Sequence, residues 1–211
     1  MNLPNAISLG RIVAAPLIAL LPFAAAWELK LLGFVLFIVA AISDYYDGVL
    51  ARTRNLITDL GKLLDPLADK LLLVATLVPM YLLMSGRGTD LPMAFVTPFG
   101  DIGVPLWVLV VVLGRELFMT LFRQAAAARG VVIAAIGPAK WKLGFQSTWV
   151  GAAYFWFAAR AAASQYGWSG PLWNAFALFN GAVGVVTMSV AVVLTLFSLW
   201  LYLRRYARVF A

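Results

Sequence analysis

The chain has 211 residues, with no cysteine and no histidine; 64% of it is hydrophobic and 12% charged, at a mean hydropathy of +0.93. Soluble domains run nearer half apolar and a quarter charged, so a water-soluble enzyme is excluded, as are disulfides, thiolate metal sites and histidine acid–base chemistry. The net charge of +7 reads as a bias of Lys and Arg toward one membrane face, not as a nucleic-acid surface.

A membrane span needs about 20 apolar residues. The apolar runs predict an all-α integral membrane protein, one domain over 1–211, with six transmembrane helices near 7–26, 30–51, 59–84, 103–129, 138–162 and 171–203. The first run, with Arg11 before it and Ala24-Ala25-Ala26 after it, mimics a signal peptide; a weakly charged start and Pro4 favour a membrane helix instead. Trp-Glu-Leu-Lys at 27–30 is expected to end it, and the polar run 85–90 to end the third helix. Gly130 closes the fourth, Gly137-Pro138 opens the fifth, and Gly167 to Pro171 parts the last two. With both termini in the cytoplasm, only Lys30, Arg87 and Arg160 of the sixteen Lys and Arg residues fall in the outer half. That is a strong positive-inside signal.

The acidic residues are concentrated where the second helix meets the third: Asp44, Asp47, Asp59, Asp65 and Asp69 are five of nine. Asp44 and Asp47 are spaced i, i+3, and Asp65 and Asp69 i, i+4, so each pair shares a helix face. At 1.5 Å per residue, Asp44 sits about 10 Å inside the end of its helix, and Asp65 and Asp69 about 9 and 15 Å inside the start of theirs. A helical hairpin therefore gathers both pairs at one depth under the cytoplasmic head groups. Inserting one carboxylate costs about 2.5–3.5 kcal/mol. Four together demand cations, and an all-oxygen ligand set favours Mg2+ or Mn2+. Asp59, after Thr58, reads as a helix cap. Gly48 and Gly61 each lie one turn from an aspartate and leave room for a ligand there, or simply let helices approach.

Asp44-x2-Asp47-Gly48-x2-Ala51-Arg52-x8-Gly61-x3-Asp65-x3-Asp69 matches every fixed position of a known signature and is similar to that of the CDP-alcohol phosphotransferases. The resemblance implies a six-helix membrane fold, a homodimer and a divalent metal site. It implies displacement of CMP from a CDP-linked lipid by the hydroxyl of a second alcohol. Carried over residue by residue, it makes Asp44, Asp47, Asp65 and Asp69 the metal ligands and suggests Asp69 as the catalytic base; a metal-bound Asp69 that only orients the acceptor hydroxyl is the other reading. Gly48, Ala51, Arg52 and Gly61 would surround the CDP-lipid. The metals would neutralise the diphosphate and the departing CMP. Arg52 serves equally as a topology anchor, and Pro66 is positioned to kink the third helix.

A second cluster lies on the fourth and fifth helices. Arg115 and Arg123 fall inside the membrane zone, where an unpaired guanidinium is expensive. Glu116, Thr120 and Arg123 share a face, and Lys140 and Lys142 occupy the first turn of the fifth helix, near its positive dipole end. An acceptor carrying its own phosphate suits Arg115, Arg123, Lys140 and Lys142; lipid head groups are the other reading for the two lysines. Those lysines are about 200° apart on an ideal helix, so both reach one phosphate only if that turn is irregular.

The opening Asn2-Leu3-Pro4-Asn5-x-Ile7-Ser8-x2-Arg11-x4-Pro16, the run Asp65-Pro66-Leu67-Ala68-Asp69-Lys70, Arg115-Glu116-Leu117-x2-Thr120-x2-Arg123 and Lys140-x-Lys142-x3-Gln146 resemble the bacterial phosphatidylglycerophosphate synthase branch. Leu143 stands where that branch commonly has Thr. The expected reaction moves the phosphatidyl group from CDP-diacylglycerol to sn-glycerol 3-phosphate at the cytoplasmic side of a bacterial inner membrane. The alternatives are a cardiolipin synthase taking phosphatidylglycerol, or a cation transporter using the aspartates. A transporter would expect inverted repeats or broken mid-membrane helices, and the sequence displays neither.

Overall fold

The computed structural model describes residues 3–53, 59–87, 90–131, 133 and 137–206, without the side chains of 3–4, 45, 47–53, 59, 62 and 138–140. Six helices carry these residues: α1 (Leu3–Leu20), α2 (Trp27–Thr53), α3 (Asp59–Met84), α4 (Leu106–Ala128), α5 (Gly137–Tyr166) and α6 (Pro171–Tyr206). A 3₁₀ turn, Leu21–Phe23, follows α1. The one β feature among the described residues is an isolated bridge between Phe95 and Ile102.

The helix count matches the sequence reading, while several boundaries move for local reasons. The expected break at 27–30 is the first turn of α2; the chain turns earlier, at Ala24–Ala26. Glu28 in that first turn complements the helix dipole. Lys30 is buried and donates to the Pro22 carbonyl, so its charge does not open the helix. α4 starts at Leu106 rather than 103, because Pro105 is extended at its N-cap and disfavours helix in the residue before it. Gly130 and Gly167 follow α4 and α5 with φ of 75° and 65°, the left-handed conformation that ends helices. α3 runs on through Pro66 and Pro79; prolines are tolerated in membrane helices where neighbouring elements satisfy the freed carbonyls.

α5 packs against α6 and α2, α1 against α3 and α2, and α4 against α6 and α3. Trp149, Tyr154, Trp156 and Phe157 on α5 are buried at the centre. The Tyr154 hydroxyl reaches main-chain oxygens on two helices, Ile18 on α1 at 3.2 Å and Ala75 and Thr76 on α3 at 3.1 and 3.4 Å. One side chain thus ties three helices in the middle of the bundle.

The outside is as greasy as the inside. Leu172, Phe179, Val186, Val193 and Trp200 recur every seven residues along α6, and all are exposed. Such a stripe is a liability in water and normal in lipid. α1 with its 3₁₀ turn, α3 and α6 are each long and apolar enough to cross a membrane, and the protein is a membrane protein. Among the described residues α2, α4 and α5 do not join that set; these helices contribute Asp44, the pair Arg115 and Glu116, and the pair Lys142 and Gln146.

Candidate active site

Three helices meet at the aspartates. Ser8 and Arg11, spaced i, i+3, project from one face of α1 toward α2 and α3. The Arg11 Nη1 donates to Asp44 Oδ1 and, at 2.9 Å, to Asp69 Oδ1. The Ser8 hydroxyl donates to Asp65 Oδ1 at 2.5 Å. Arg11 is buried, whereas the Asp44 and Asp69 side chains are 33% and 56% exposed. One guanidinium faces two carboxylates, so the pair keeps a surplus negative charge at its open side.

The helical hairpin does bring Asp44 and Asp69 together, as the spacing predicted. Asp65 lies one turn before Asp69 and is engaged by Ser8. Gly61 is buried near the start of α3. Asp47, Gly48, Ala51 and Arg52 lie on the last turns of α2, and the side chains of Asp47, Ala51, Arg52 and Asp59 are outside the described set.

The second cluster is organised around an acid. Glu116 Oε1 accepts from Arg115 Nη1 at 2.7 Å and from Lys142 Nζ. Arg115 is 7% exposed and Lys142 6%. Arg115 Nη2 also donates to the Ser198 hydroxyl at 3.1 Å, and its guanidinium lies 6.0 Å from the centre of the Tyr202 ring. Two cations on one carboxylate leave a net positive charge there, opposite in sign to the aspartate end. Arg123 departs from the expected four-membered clamp. It is exposed, its Nη2 is 3.4 Å from the Tyr202 hydroxyl, and its guanidinium lies over the Tyr202 ring instead of joining Glu116. Thr120 bonds its own helix at the Glu116 carbonyl. The Lys140 side chain is outside the described set.

A single cavity of about 200 Å³ connects the clusters. Arg11, Asp44 and Asp69 line one part, Glu116, Lys142 and Gln146 another, with Phe37, Leu72 and Val150 supplying apolar wall. Leu143, at the position where a Thr was expected, also lines it. Among the described residues no three acidic side chains converge into a ready cation site. The donor chemistry nevertheless fits a hard divalent ion. Every candidate ligand is a carboxylate oxygen, and Asp44 and Asp69 already face each other around one positively charged nitrogen, Arg11 Nη1.

Two participants were not assigned from sequence. Arg11 was counted as a topology charge, although its i, i+3 relation to Ser8 marks a polar face on an otherwise apolar helix. Glu116 was placed on the right face but given no role; an acidic residue flanked by arginine inside a span asks for a cationic partner.

The fold and site define a helical membrane protein in which an acidic and a basic cluster share one cavity. Residues 1–197 match the family model described as CDP-alcohol phosphatidyltransferase. The chain belongs to that family. It is 37% identical over 148 residues, 64% of its length, to the CDP-diacylglycerol–glycerol-3-phosphate 3-phosphatidyltransferase of Bacillus subtilis (strain 168), covering 66% of that protein. It is 33% identical over 156 residues, 70% of its length, to the chloroplastic/mitochondrial enzyme 1 of that name from Arabidopsis thaliana, covering 49% of it. It is 44% identical over 77 residues, 36% of its length, to the Rickettsia bellii (strain RML369-C) protein of that name, covering 42%. The matched stretches span less than two thirds of each relative's own length.

Proposed function

We propose that the protein transfers the phosphatidyl group of CDP-diacylglycerol to sn-glycerol 3-phosphate, giving phosphatidylglycerol phosphate and CMP for phospholipid synthesis. The observation that carries this reading is the shared cavity. A molecule with a hydroxyl at one end and a phosphate at the other can span from the Asp44–Asp69 pair to Lys142, which lines the same cavity and shares Glu116 with Arg115. The names of the relatives from Bacillus subtilis and Arabidopsis thaliana support the same donor and acceptor.

Asp44, Asp47, Asp65 and Asp69 are the residues that would hold Mg2+ or Mn2+. When bound, such ions neutralise the diphosphate and the negative charge developing on CMP. Asp69, the more exposed of the Arg11-bound carboxylates, takes the proton of the acceptor's primary hydroxyl. That oxygen forms a bond to the phosphatidyl phosphorus as the bond from phosphorus to the CMP oxygen breaks. Arg11 keeps Asp69 oriented toward Asp44, and Gly48, Ala51, Arg52 and Gly61 flank the CDP-lipid. Lys142 and Arg115 hold the acceptor's phosphate, with Glu116 keeping both cations in place between turnovers. Arg123 and Lys140 attract the anion from the rim.

The six helices span a bacterial inner membrane with both termini and the active site facing the cytoplasm, in a homodimer. The charge bias supports this orientation, with thirteen of sixteen Lys and Arg residues on the inner side. A cysteine at Arg129 is then shielded from impermeant thiol reagents in intact cells and one at Arg87 labels; the reverse result inverts the topology. The activity test is metal-dependent CMP release from CDP-diacylglycerol in reconstituted vesicles, with glycerol 3-phosphate and phosphatidylglycerol offered separately. Release with glycerol 3-phosphate alone supports the assignment. Release with phosphatidylglycerol alone makes the protein a cardiolipin synthase, and cation uptake without CMP release makes it a transporter.

A further inference from the structure

Gln146 lies four residues after Lys142 on α5, so the two side chains share a face. It is 6% exposed and lines the cavity between the acidic and basic clusters. Its Oε1 is buried and has no hydrogen-bond partner. Buried side-chain oxygens are nearly always bonded, and a bare one calls for an explanation. Lys142 and Thr76 on that wall are already engaged, Lys142 on Glu116 and Thr76 on the carbonyls of its own helix, and Ser147 adds one further hydroxyl to the lining. Phe37, Leu143 and Val150 offer no side-chain donor.

The position of Gln146 matters because of the acceptor the site was argued to take. A three-carbon phosphopolyol reacts through a primary hydroxyl at the aspartates and is held by its phosphate at the lysine. Its remaining secondary hydroxyl falls between them, along the wall that Gln146 occupies. We infer that Gln146 is a specificity-determining residue that hydrogen-bonds the non-reacting secondary hydroxyl of the acceptor. The carboxamide is suited to this: Oε1 accepts from the O–H, and a half-turn about the last side-chain bond presents Nε2–H to the hydroxyl oxygen instead. The site then reads a vicinal hydroxyl as well as a phosphate. This inference rests on the proposed acceptor.

The test is a substrate-by-residue cycle on the full-length protein with CDP-diacylglycerol and Mg2+. Initial rates of CMP release are compared for sn-glycerol 3-phosphate and for 3-hydroxypropyl phosphate, which lacks only the secondary hydroxyl. The wild type should favour glycerol 3-phosphate about tenfold in kcat/KM, the worth of one hydrogen bond. Gln146→Met, similar in length and unable to make the bond, should lose about tenfold on glycerol 3-phosphate. It should stay within about twofold on the deoxy acceptor, so the preference disappears. Gln146→Leu provides the same comparison where the Met variant accumulates poorly. Equal losses on both acceptors, or a wild type with no preference, overturn the inference while leaving the assigned reaction standing. A wild type that uses neither phosphate but consumes phosphatidylglycerol overturns the acceptor reading, and the role of Gln146 with it.

Discussion

The two ends of the bundle are built in opposite ways. At the aspartate end, helices are joined by ion pairs: Arg11 of α1 to Asp44 and Asp69, and Lys142 of α5 to Glu116 of α4. At the other end they are joined by close packing. The segment 91–104 folds over α5 and α6, pinned by the Phe95–Ile102 bridge and by Trp156 Nε1 donating to the Ala94 carbonyl at 3.0 Å. Gly181 on α6 lets the Val96 main chain come so near that a Cβ there would lie 1.9 Å from its oxygen, and at Gly184 one would lie 2.3 Å from the Phe95 ring. Trp156 and Trp173 stack beside it, with ring centres 5.7 Å apart. Polar contacts can be exchanged for a substrate's charges without moving a helix. Interlocked aromatic and main-chain surfaces cannot, so the aspartate end is the one suited to chemistry and the packed end the one suited to holding it still.

If that division is correct, substitutions at the two ends separate activity from stability. Asp44→Asn and Asp69→Asn should lower CMP release about a thousandfold with an unchanged melting profile in detergent, and chelator should reproduce the loss reversibly. Retained turnover in metal-free buffer would erase the contrast. Lys142→Ala should raise the apparent KM for glycerol 3-phosphate roughly 10- to 150-fold, as expected for losing a charge-assisted bond of about 1.5–3 kcal/mol. Because Glu116 keeps Arg115, the variant should remain folded, and the KM for CDP-diacylglycerol should change far less. Arg123→Ala, removing an exposed residue with one long hydrogen bond, should stay within about threefold.

The packed end should answer in the other currency. Gly181→Ala forces the Val96 main chain away and should destabilise by about 1–3 kcal/mol, seen as a lower melting temperature. The surviving folded fraction should keep the wild-type KM for both substrates. Trp156→Phe removes the bond to Ala94 while keeping most of the aromatic packing, and should cost about 0.5–1.5 kcal/mol. A large KM change in either variant would show that the ends communicate.

Much of the fold was legible because hydropathy and glycine breaks act locally. α3 and the Gly167–Pro171 break between α5 and α6 fell where their composition put them, and the i, i+3 and i, i+4 spacings correctly faced Asp44 toward Asp69. The misread break at 27–30 came from taking polar residues as a terminus; a folded-back Lys30 that bonds Pro22 makes the same residues a helix start. Arg11 escaped assignment because its partners are 33 and 58 positions away, and a cation in a short apolar helix reads equally well as a topology charge. The placement of Arg123 apart from Glu116 has the same origin. Helical spacing placed Arg123 and Glu116 on one face but could not tell that Glu116 takes Lys142 from α5, leaving Arg123 on Tyr202.

The Arg11 contact bears on how such a chain is made. α1 enters the bilayer before α2 and α3, carrying a guanidinium whose counter-charges have not been synthesised, at a cost of about 2.5–3.5 kcal/mol if it lodges at mid-depth. Asp44 relieves that cost when α2 arrives, and Asp69 completes the arrangement only when α3 does. The first three helices are therefore retained in lipid as a group. Because the arginine comes with the polypeptide, the acidic pocket can be delivered to the membrane already half counterbalanced, with one cation for two carboxylates.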